Sequence, residues 1–417
     1  MFQGYLELAG NEIVNSARVV AYVKHALPQL GLTDGWLSGD DLPLALGDDP
    51  YQSPLVDNAP WVDPANSDTW GFYGVYPLEV TGGTDGTRSV RMTQLTGDGA
   101  VSSRPRSAGK EIMVQALLVA ADRAAMEAGK VWLRSALEGG MCSGPTIGCS
   151  GDTLCYFTAL PPVQLDAPGF TSVEDCVAPY HRTLYRVVLL EGPRVTKTYQ
   201  ASSGVIEQVT FVLASGVPHP YTLPVEVGDA LEGSGVVVPE VSCTPVVLDP
   251  LIDPDCVTPP SPPRPPVILD SCLESPATWV RYSIDIPTTA VPLWTDAVPV
   301  ITLTTRSVAV RQVRIRFYPN PFGYDLTDID ECDYCGEFIV SYIPATSDMT
   351  ISGILETATV SVAGGPGLAA THLLYGSGGA PFEWPTLSCG TGYVMVVDVA
   401  PVEVGDLSVN LAIAGRG

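Results

Sequence analysis

Charged side chains are scarce in this 417-residue chain, at 16% of its residues, and basic ones are the scarcest. The 21 Lys and Arg residues are outnumbered by 46 Asp and Glu residues, which gives a formal net charge of −25. So acidic a surface repels phosphate backbones and anionic lipids, which argues against a nucleic-acid-binding role. No stretch reaches the ~18 uncharged apolar residues that a membrane span needs, so we expect no membrane insertion.

Motifs that carry catalysis are also missing. The sequence has no His-Glu-x-x-His, no Walker loop, no Gly-x-Gly-x-x-Gly after a strand and no Gly-x-Ser-x-Gly elbow. The four histidines, His25, His181, His219 and His372, are scattered without metal or catalytic spacing. An acidic protein always offers carboxylates for glycoside hydrolysis, but nothing singles out a pair. We therefore predict no catalytic, cofactor-binding or metal-binding residues, and no enzymatic activity.

The first residues lack the basic and apolar regions of an export signal, so we expect synthesis in the cytoplasm. Ten cysteines are many for a reduced compartment. Two interpretations remain open. The protein folds inside a cell and later works outside it, as a virion component does, or several cysteines are small buried hydrophobic residues.

The cysteines are the nearest approach to a motif. Cys332 and Cys335 form a C-x-x-C pair, and Cys142, Cys149 and Cys155 cluster in a Gly-rich and Thr-rich stretch before Cys176. Local disulfides, free thiols and buried thiols are all compatible with this pattern. A zinc site needs a second pair at matching spacing, and the sequence offers none in the C-terminal half.

An acidic run lies beside Cys332, with carboxylates at Asp325, Asp328, Asp330, Glu331 and Asp333. Calcium favours such oxygen-rich loops, but the run lacks the Gly and the final Glu of an EF-hand loop. We predict a solvated acidic turn.

Hydrophobic residues make up 46% of the chain, with 41 Gly and 38 Pro, which is typical of a globular, loop-rich, mainly β protein. Prolines are densest at 243–266, where they can neither continue a helix nor donate to a sheet. We predict two domains, at 1–242 and 267–417, joined by a Pro-rich linker at 243–266.

The N-terminal half predicts an α+β domain with one packed helix. A hairpin joins 5–8 to 12–14, and a strand at 111–119 is apolar on both faces. A helix follows, with Asp122 as its N-cap. Its apolar stripe contains Ala125, Ala128, Trp132, Leu133, Ala136 and Leu137. Further strands are expected at 183–191 and 205–213.

The C-terminal half alternates apolar and polar residues in short segments. The clearest lie at 280–286, 312–317 and 407–413, with others at 300–304, 338–343, 358–362 and 393–399. About seven such strands with Gly and Pro turns predict a β-sandwich, solvated outside and packed inside.

The N-terminal ~240 residues resemble a known family in segment order and wording. The matching segments are the hairpin at 5–14, Ala-Pro-Trp-Val-Asp-Pro at 59–64, Gly-Phe-Tyr-Gly-Val-Tyr-Pro at 71–77, Arg-Pro-Arg at 104–106, the strand–helix unit at 111–139, and the pair at 185–192 and 205–218. This order is similar to minor tail proteins of phages that infect actinobacteria. It also resembles the distal tail protein, Dit, of siphophages.

The resemblance implies a belt domain that closes into a homohexameric ring, with a galectin-like or carbohydrate-module-like sandwich attached. Such a ring would join the tail tube to the tail-tip hub or tail-associated lysin, near the end of the tape-measure protein, in a virion tail assembled in the host cytoplasm. A Cys-rich insertion at about 139–177 and the long linker depart from the family pattern. The alternative function is a tail accessory whose sandwich binds a host-surface receptor or glycan.

Overall fold

The computed structural model describes residues 1–30, 41–83, 88–94, 96, 98–103, 106–138, 151–163, 172–201, 204–230, 235–239, 278–320, 322–323, 330, 332–376, 380–388, 390–400 and 407–417. They form two compact units. The first comprises Met1–Leu223 with Arg416–Gly417, and the second comprises Pro224–Gly415. Both are mainly β, which confirms the predicted fold class.

The first unit contains eleven of the described strands and four of the described helices. The strands are β1 (Tyr5–Leu8), β2 (Asn11–Asn15), β3 (Phe72–Thr81), β4 (Arg88–Ser89), β5 (Met92–Gln94), β6 (Ala100–Ser102), β7 (Arg106–Ser107), β8 (Lys110–Ala120), β9 (Asp152–Phe157), β10 (His181–Ala201) and β11 (Gly204–Ser215). The helices are α1 (Ser16–Ala26), α2 (Asp41–Leu46), α3 (Arg123–Glu138) and α4 (Val173–Val177).

Seven of these strands form one antiparallel sheet in the order β2-β1-β9-β10-β11-β8-β3. The opening hairpin is confirmed, and its turn places Ala9 and Gly10 at positive φ, as a tight hairpin turn requires. The sheet curls, so that the edge strands β2 and β3 lie near each other. Along β11, buried residues alternate with half-buried ones, so one face of the sheet carries the core.

Helix α3 packs on that core as the apolar stripe predicts. Asp122 accepts a hydrogen bond from the Ala125 N–H at 2.9 Å and caps the first turn. Leu133 and Leu137 are buried, whereas Trp132 is half-buried and packs against the core. The strand before it, β8, is buried on one face and only half-covered on the other, so the expectation of two buried faces is wrong.

Helix α1 is an addition to the single helix that the sequence predicts. Its first turn is capped by Asn15, whose side chain accepts from the Arg18 N–H at 3.0 Å. It buries Val19, Tyr22 and Val23 in the core. Three β-branched valines and a central arginine give this segment a weak local helical signal, so the cap and the tertiary packing determine its structure.

Aromatic rings join the segment before β3 to α3. Trp61 meets Trp132 with ring centroids 5.2 Å apart, and Phe72 lies 5.2 Å from Trp61. The Trp61 indole N–H donates to the Phe72 carbonyl at 2.8 Å. These contacts confirm that the aromatic residues pack together, although 72–81 is a strand rather than part of a loop.

The second unit contains twelve of the described strands. They are β12 (Val225–Ala230), β13 (Val236–Pro239), β14 (Thr278–Ile286), β15 (Ala297–Thr305), β16 (Val310–Pro319), β17 (Gly336–Ile343), β18 (Ser347–Ser352), β19 (Thr357–Val362), β20 (Leu368–Ala369), β21 (Leu374–Gly376), β22 (Tyr393–Val399) and β23 (Leu407–Gly415).

These strands form two six-stranded antiparallel sheets. One has the order β12-β23-β15-β18-β19-β20, and the other has the order β13-β14-β22-β16-β17-β21. Buried residues of both sheets, such as Ile301 and Leu411 from the first and Ile315 and Val397 from the second, share one hydrophobic core. The second unit is therefore the predicted β-sandwich.

The first unit ends earlier than the sequence analysis places it. Strands β12 and β13, which fall inside the predicted 1–242 domain, pair with β23 and β14 of the sandwich. The boundary therefore lies at Leu223 and Pro224, because strand pairing and not proline density determines which unit a segment joins. The predicted linker at 243–266 lies outside the described residues, as do 139–150 and 164–171 of the predicted insertion. Among the described helices, none is long and apolar enough to cross a membrane.

Candidate functional site

The histidines occupy separate elements. His25 lies in α1, His181 in β10, His219 in the loop after β11 and His372 in a short 3-10 turn. Burial lowers the pKa of His181 below its ordinary value, which favours the neutral imidazole. Within the described ranges, no group of three or more His, Cys, Asp or Glu side chains is arranged to hold a metal ion.

The C-x-x-C pair is divided between two chemical states. Cys332 is disulfide-bonded, whereas Cys335 is a free thiol that donates to the Phe317 carbonyl at 3.3 Å. The two cysteines are therefore not joined to each other. Cys155 and Cys176 are also free thiols, and burial raises the pKa of Cys155, which disfavours the reactive thiolate. The other six cysteines lie outside the described residues.

Part of the acidic run is described. The Asp330 carboxylate accepts from the Cys332 N–H at 2.9 Å, and its carbonyl accepts from the Asp333 N–H at 3.0 Å. These two bonds form a compact turn in which Cys332 and Asp333 are exposed. Asp325, Asp328 and Glu331 lie outside the described residues.

The sandwich contains a charged cluster that the sequence analysis placed in solvent. Asp398 of β22 is 0% exposed, and it lies directly opposite Arg281 of β14 and Arg314 of β16 in the strand register. Arg316 approaches the same carboxylate diagonally from β16. The outer face of this sheet is therefore not solvated here, although its alternating pattern predicts that it is.

Three guanidinium groups converge on this carboxylate. The distances are 2.8 Å from Arg281 Nε to Oδ1, 3.0 Å from Arg314 Nη2 to Oδ2, and 2.6 Å from Arg316 Nη2 to Oδ2. Arg314 also stacks over the Trp279 ring, 4.5 Å from its centroid. Burial by itself would raise the pKa of Asp398, but hydrogen bonds and charges from the arginines outweigh it and lower the pKa. Such a cluster stabilises the ionised carboxylate and holds three strands in register.

The feature best suited to assembly lies in the first unit, along β10. Pairing of β10 with β9 extends from His181 to Val187. From 188 to 201, its described neighbour is β11 alone, so its other edge presents backbone N–H and C=O groups. Such an edge is a template for pairing with another chain.

Apolar side chains are exposed along the same segment. Leu190 and Tyr199 are each 52% exposed, and Val188 and Val195 are exposed as well. Bulges between 189 and 197 and Pro193 interrupt the ladder, so the edge is divided into short stretches. The sequence carried a signal for this surface, because the run Val-Val-Leu-Leu at 187–190 is apolar on both faces of its strand.

A cleft lies between this edge and α3. Its volume is about 240 Å³, and its lining includes Lys130, Val131, Pro193 and Val195. The Lys130 ammonium lies 2.7 Å from Glu127 and 3.3 Å from the buried Glu207, so its charge is already paired. The lining therefore has a mainly apolar, uncharged character suited to covering by another protein surface.

One end of the sandwich exposes a second apolar feature. The loop between β14 and β15 carries Trp294, which is 86% exposed, and the exposed Leu293. The Gly390 N–H donates to the Pro292 carbonyl at 2.9 Å, which ties this loop to the one before β22. An exposed Trp on a tethered loop is the kind of side chain that anchors ligands or partners.

Comparisons with known proteins gave structural neighbours alone. No family model matches the chain, and no curated protein matches it. Three solved structures resemble it at low similarity. They are Dit (gp 19.1) of phage SPP1, described as a paradigm of the hub adsorption apparatus in phages that infect Gram-positive bacteria (12% identity, TM-score 0.37, 83% of this chain and 94% of that one), the phage P2 baseplate in its activated conformation with Ca (9%, 0.37, 85% and 93%), and the same baseplate with Sr (10%, 0.35, 85% and 92%).

Proposed function

We propose that this chain is a structural component of a phage tail tip, whose first unit assembles with other copies into a ring joining the tail tube to the tail-tip hub. The observation that carries the proposal is the exposed edge of β10 at 188–201, with its apolar Leu190 and Tyr199. The sequence resemblance to siphophage distal tail proteins and to minor tail proteins of actinobacterial phages supplies the identity of the assembly.

The exposed apolar segment supports self-association for an energetic reason. Side chains of this size contribute about 1.5–3 kcal/mol each when they are fully removed from water. A chain that leaves several of them exposed beside an unpaired strand edge loses that contribution as a monomer. A ring recovers it, because each copy uses one surface to meet the next and no edge remains open when the ring closes.

The remaining partners follow from the same proposal. A hexameric ring would contact the tail tube on one side and the hub or tail-associated lysin on the other, near the end of the tape-measure protein. The role is structural rather than catalytic, and the location is the virion tail.

Light scattering combined with negative-stain imaging of the full chain tests the proposal. We expect rings of about six copies for the native chain, and smaller species for the double variant Leu190→Ser/Tyr199→Ser. Leu368→Ser, at an exposed apolar position of the sandwich, is the matched control and should leave the rings intact. A native chain that stays monomeric at all concentrations, or a double variant with unchanged rings, contradicts the proposal.

A second candidate function is recognition of a host-surface glycan or receptor by the sandwich. The specific observation in its favour is Trp294, whose exposed indole offers a flat surface for stacking against a sugar ring. Quenching or enhancement of tryptophan fluorescence by host-wall glycans would support it, provided that Trp294→Ala abolishes the response. An equal response from the Trp294→Ala protein would place binding elsewhere.

A further inference from the structure

A two-stranded arm extends the hairpin formed by β3 and β8. Strands β4 and β7 pair, β5 and β6 pair beyond them, and the Ser103 N–H donates to the Arg91 carbonyl at 2.7 Å between the two ladders. The segment 88–94 alone spans about 20 Å at about 3.3 Å per residue. At the base, the Lys110 ammonium donates to the Gly83 carbonyl at 3.0 Å, which holds the two strands together.

The arm is exposed along its length. Every described residue from 88 to 107 is exposed, including the apolar Val90, Met92 and Val101. An isolated two-stranded ribbon is marginally stable in water, because it has no hydrophobic face to pack against. An arm of this construction therefore gains order from a surface that covers it.

The charge of the arm is opposite to that of the chain. Between residues 88 and 107 the sequence contains four arginines (Arg88, Arg91, Arg104 and Arg106) and one acidic residue, Asp98. The protein as a whole carries a net charge of −25. A basic segment on such an acidic protein is attracted to another copy of the same chain.

The segment at 41–71 has the complementary character within the same unit. It contains six aspartates and neither lysine nor arginine. Asp49, Asp63 and Asp68 are exposed, and so are the apolar Val56 and Trp70. Arm and segment thus match in both respects, since each combines exposed apolar side chains with charges of opposite sign.

The acidic segment is held rigidly to the core. The Tyr51 hydroxyl donates to Asp48 at 2.6 Å, and the Arg18 guanidinium lies 3.5 Å from the same carboxylate. Trp61 is buried, and the Trp70 indole N–H donates to the Asp63 carbonyl at 3.2 Å. A surface fixed in this way loses little conformational entropy when it is covered.

We infer that the arm at 88–107 docks on the acidic segment at 41–71 of a second copy of this chain. The inference rests on the proposed ring and specifies one of its contacts. Because the two surfaces are different parts of one unit, the contact is heterologous, and such contacts generate rings when their rotation closes. The arginines orient the approaching copy, and the apolar side chains are buried once it has docked.

Charge reversal in the full chain tests the inference. Arg88→Glu/Arg91→Glu reverses the arm, and Asp49→Lys/Asp68→Lys reverses the segment, all at exposed positions. At about 0.1 M salt, where the screening length is about 10 Å, we expect either double variant to raise the dissociation constant of the assembly about tenfold or more. Mixing the two double variants should restore assembly, and so should combining all four substitutions in one chain.

Controls separate this inference from the proposed function. Lys24→Glu/Arg123→Glu reverses two exposed charges of the first unit outside the arm and should leave assembly unchanged. Circular dichroism and melting of each variant confirm that it is folded. If the native chain forms rings that both double variants also form with unchanged affinity, or if mixing restores nothing, the arm inference is wrong and the ring stands. If the native chain never self-associates, the ring proposal itself fails.

Discussion

Replacing Asp398 by Asn removes one charge from the interior of the sandwich without changing the shape of the side chain. In the native protein its carboxylate is 0% exposed and lies within 3.0 Å of nitrogens from Arg281, Arg314 and Arg316. The amide retains one acceptor oxygen but places an NH₂ group toward guanidinium groups that can only donate. The variant therefore loses the charge and introduces a clash between donors.

The size of the effect follows from burial. Removing one partner of a buried ion pair costs about 3–5 kcal/mol, because the charge that remains is poorly solvated. The three arginines also interact outside this cluster, so we expect the lower end of the range, about 3 kcal/mol. For a domain of about 200 residues, each kcal/mol lowers Tm by about 2–4 °C. The expected decrease is therefore about 6–12 °C.

Scanning calorimetry of the full chain measures the transition of the sandwich and of the first unit in one experiment. The control is Asp348→Asn in β18 of the same sandwich, where an exposed carboxylate accepts from the Thr304 hydroxyl at 2.6 Å. This control should cost about 1 kcal/mol or less, since the site is solvated. The reasoning is refuted if Asp398→Asn shifts Tm no more than Asp348→Asn does.

Three further changes test the packing and the charge cluster. Trp132→Ala should destabilise the first unit by about 2–3 kcal/mol in urea unfolding, less than full burial would give, because the half-buried ring contacts Trp61 and Phe72; a near-neutral result contradicts the contacts. Gly129→Ala should destabilise it by about 1–3 kcal/mol, since a Cβ there overlaps the Phe72 ring, and greater stability from improved helix propensity would contradict this. The lowered pKa of Asp398 means that its stabilisation is fully present above its unfolded pKa of about 3.9 and is lost as pH falls through the lower folded pKa. Melting of the sandwich from neutral pH to about pH 3 should therefore decline more steeply in the native chain than in Asp398→Asn.

Periodicity predicted the elements whose local pattern agrees with their packing. The strands β11, β14 and β23 alternate cleanly and lie close to their expected bounds, and α3 begins where Asp122 indicates a cap. These segments need no distant partner to reveal their structure, because the side-chain period alone identifies the buried face.

The missed features depend on partners far away in the sequence. Arg281, Arg314 and Arg316 have the alternation of a solvated face, and their burial follows from Asp398, which is at least 82 positions away. Likewise, β12 joins the sandwich because β23, near the end of the chain, supplies its hydrogen-bonding partner. No local window contains such information, so the predicted domain boundary followed the prolines instead.

The candidate assembly surfaces occupy an intermediate position. The apolar run at 187–190 and the arginines at 88–106 are visible in the sequence, but their meaning depends on exposure, which only the fold provides. A net charge of −25 suggests a uniformly repulsive surface, and a protein so charged should resist meeting its own copies. Its distribution changes that conclusion. Since the arginines are concentrated in an exposed arm and 41–71 lacks basic residues altogether, two copies attract each other in one relative orientation and repel in most others. A strongly acidic net charge then favours specific assembly, because it disfavours every contact except the one that brings the arm to the acidic segment.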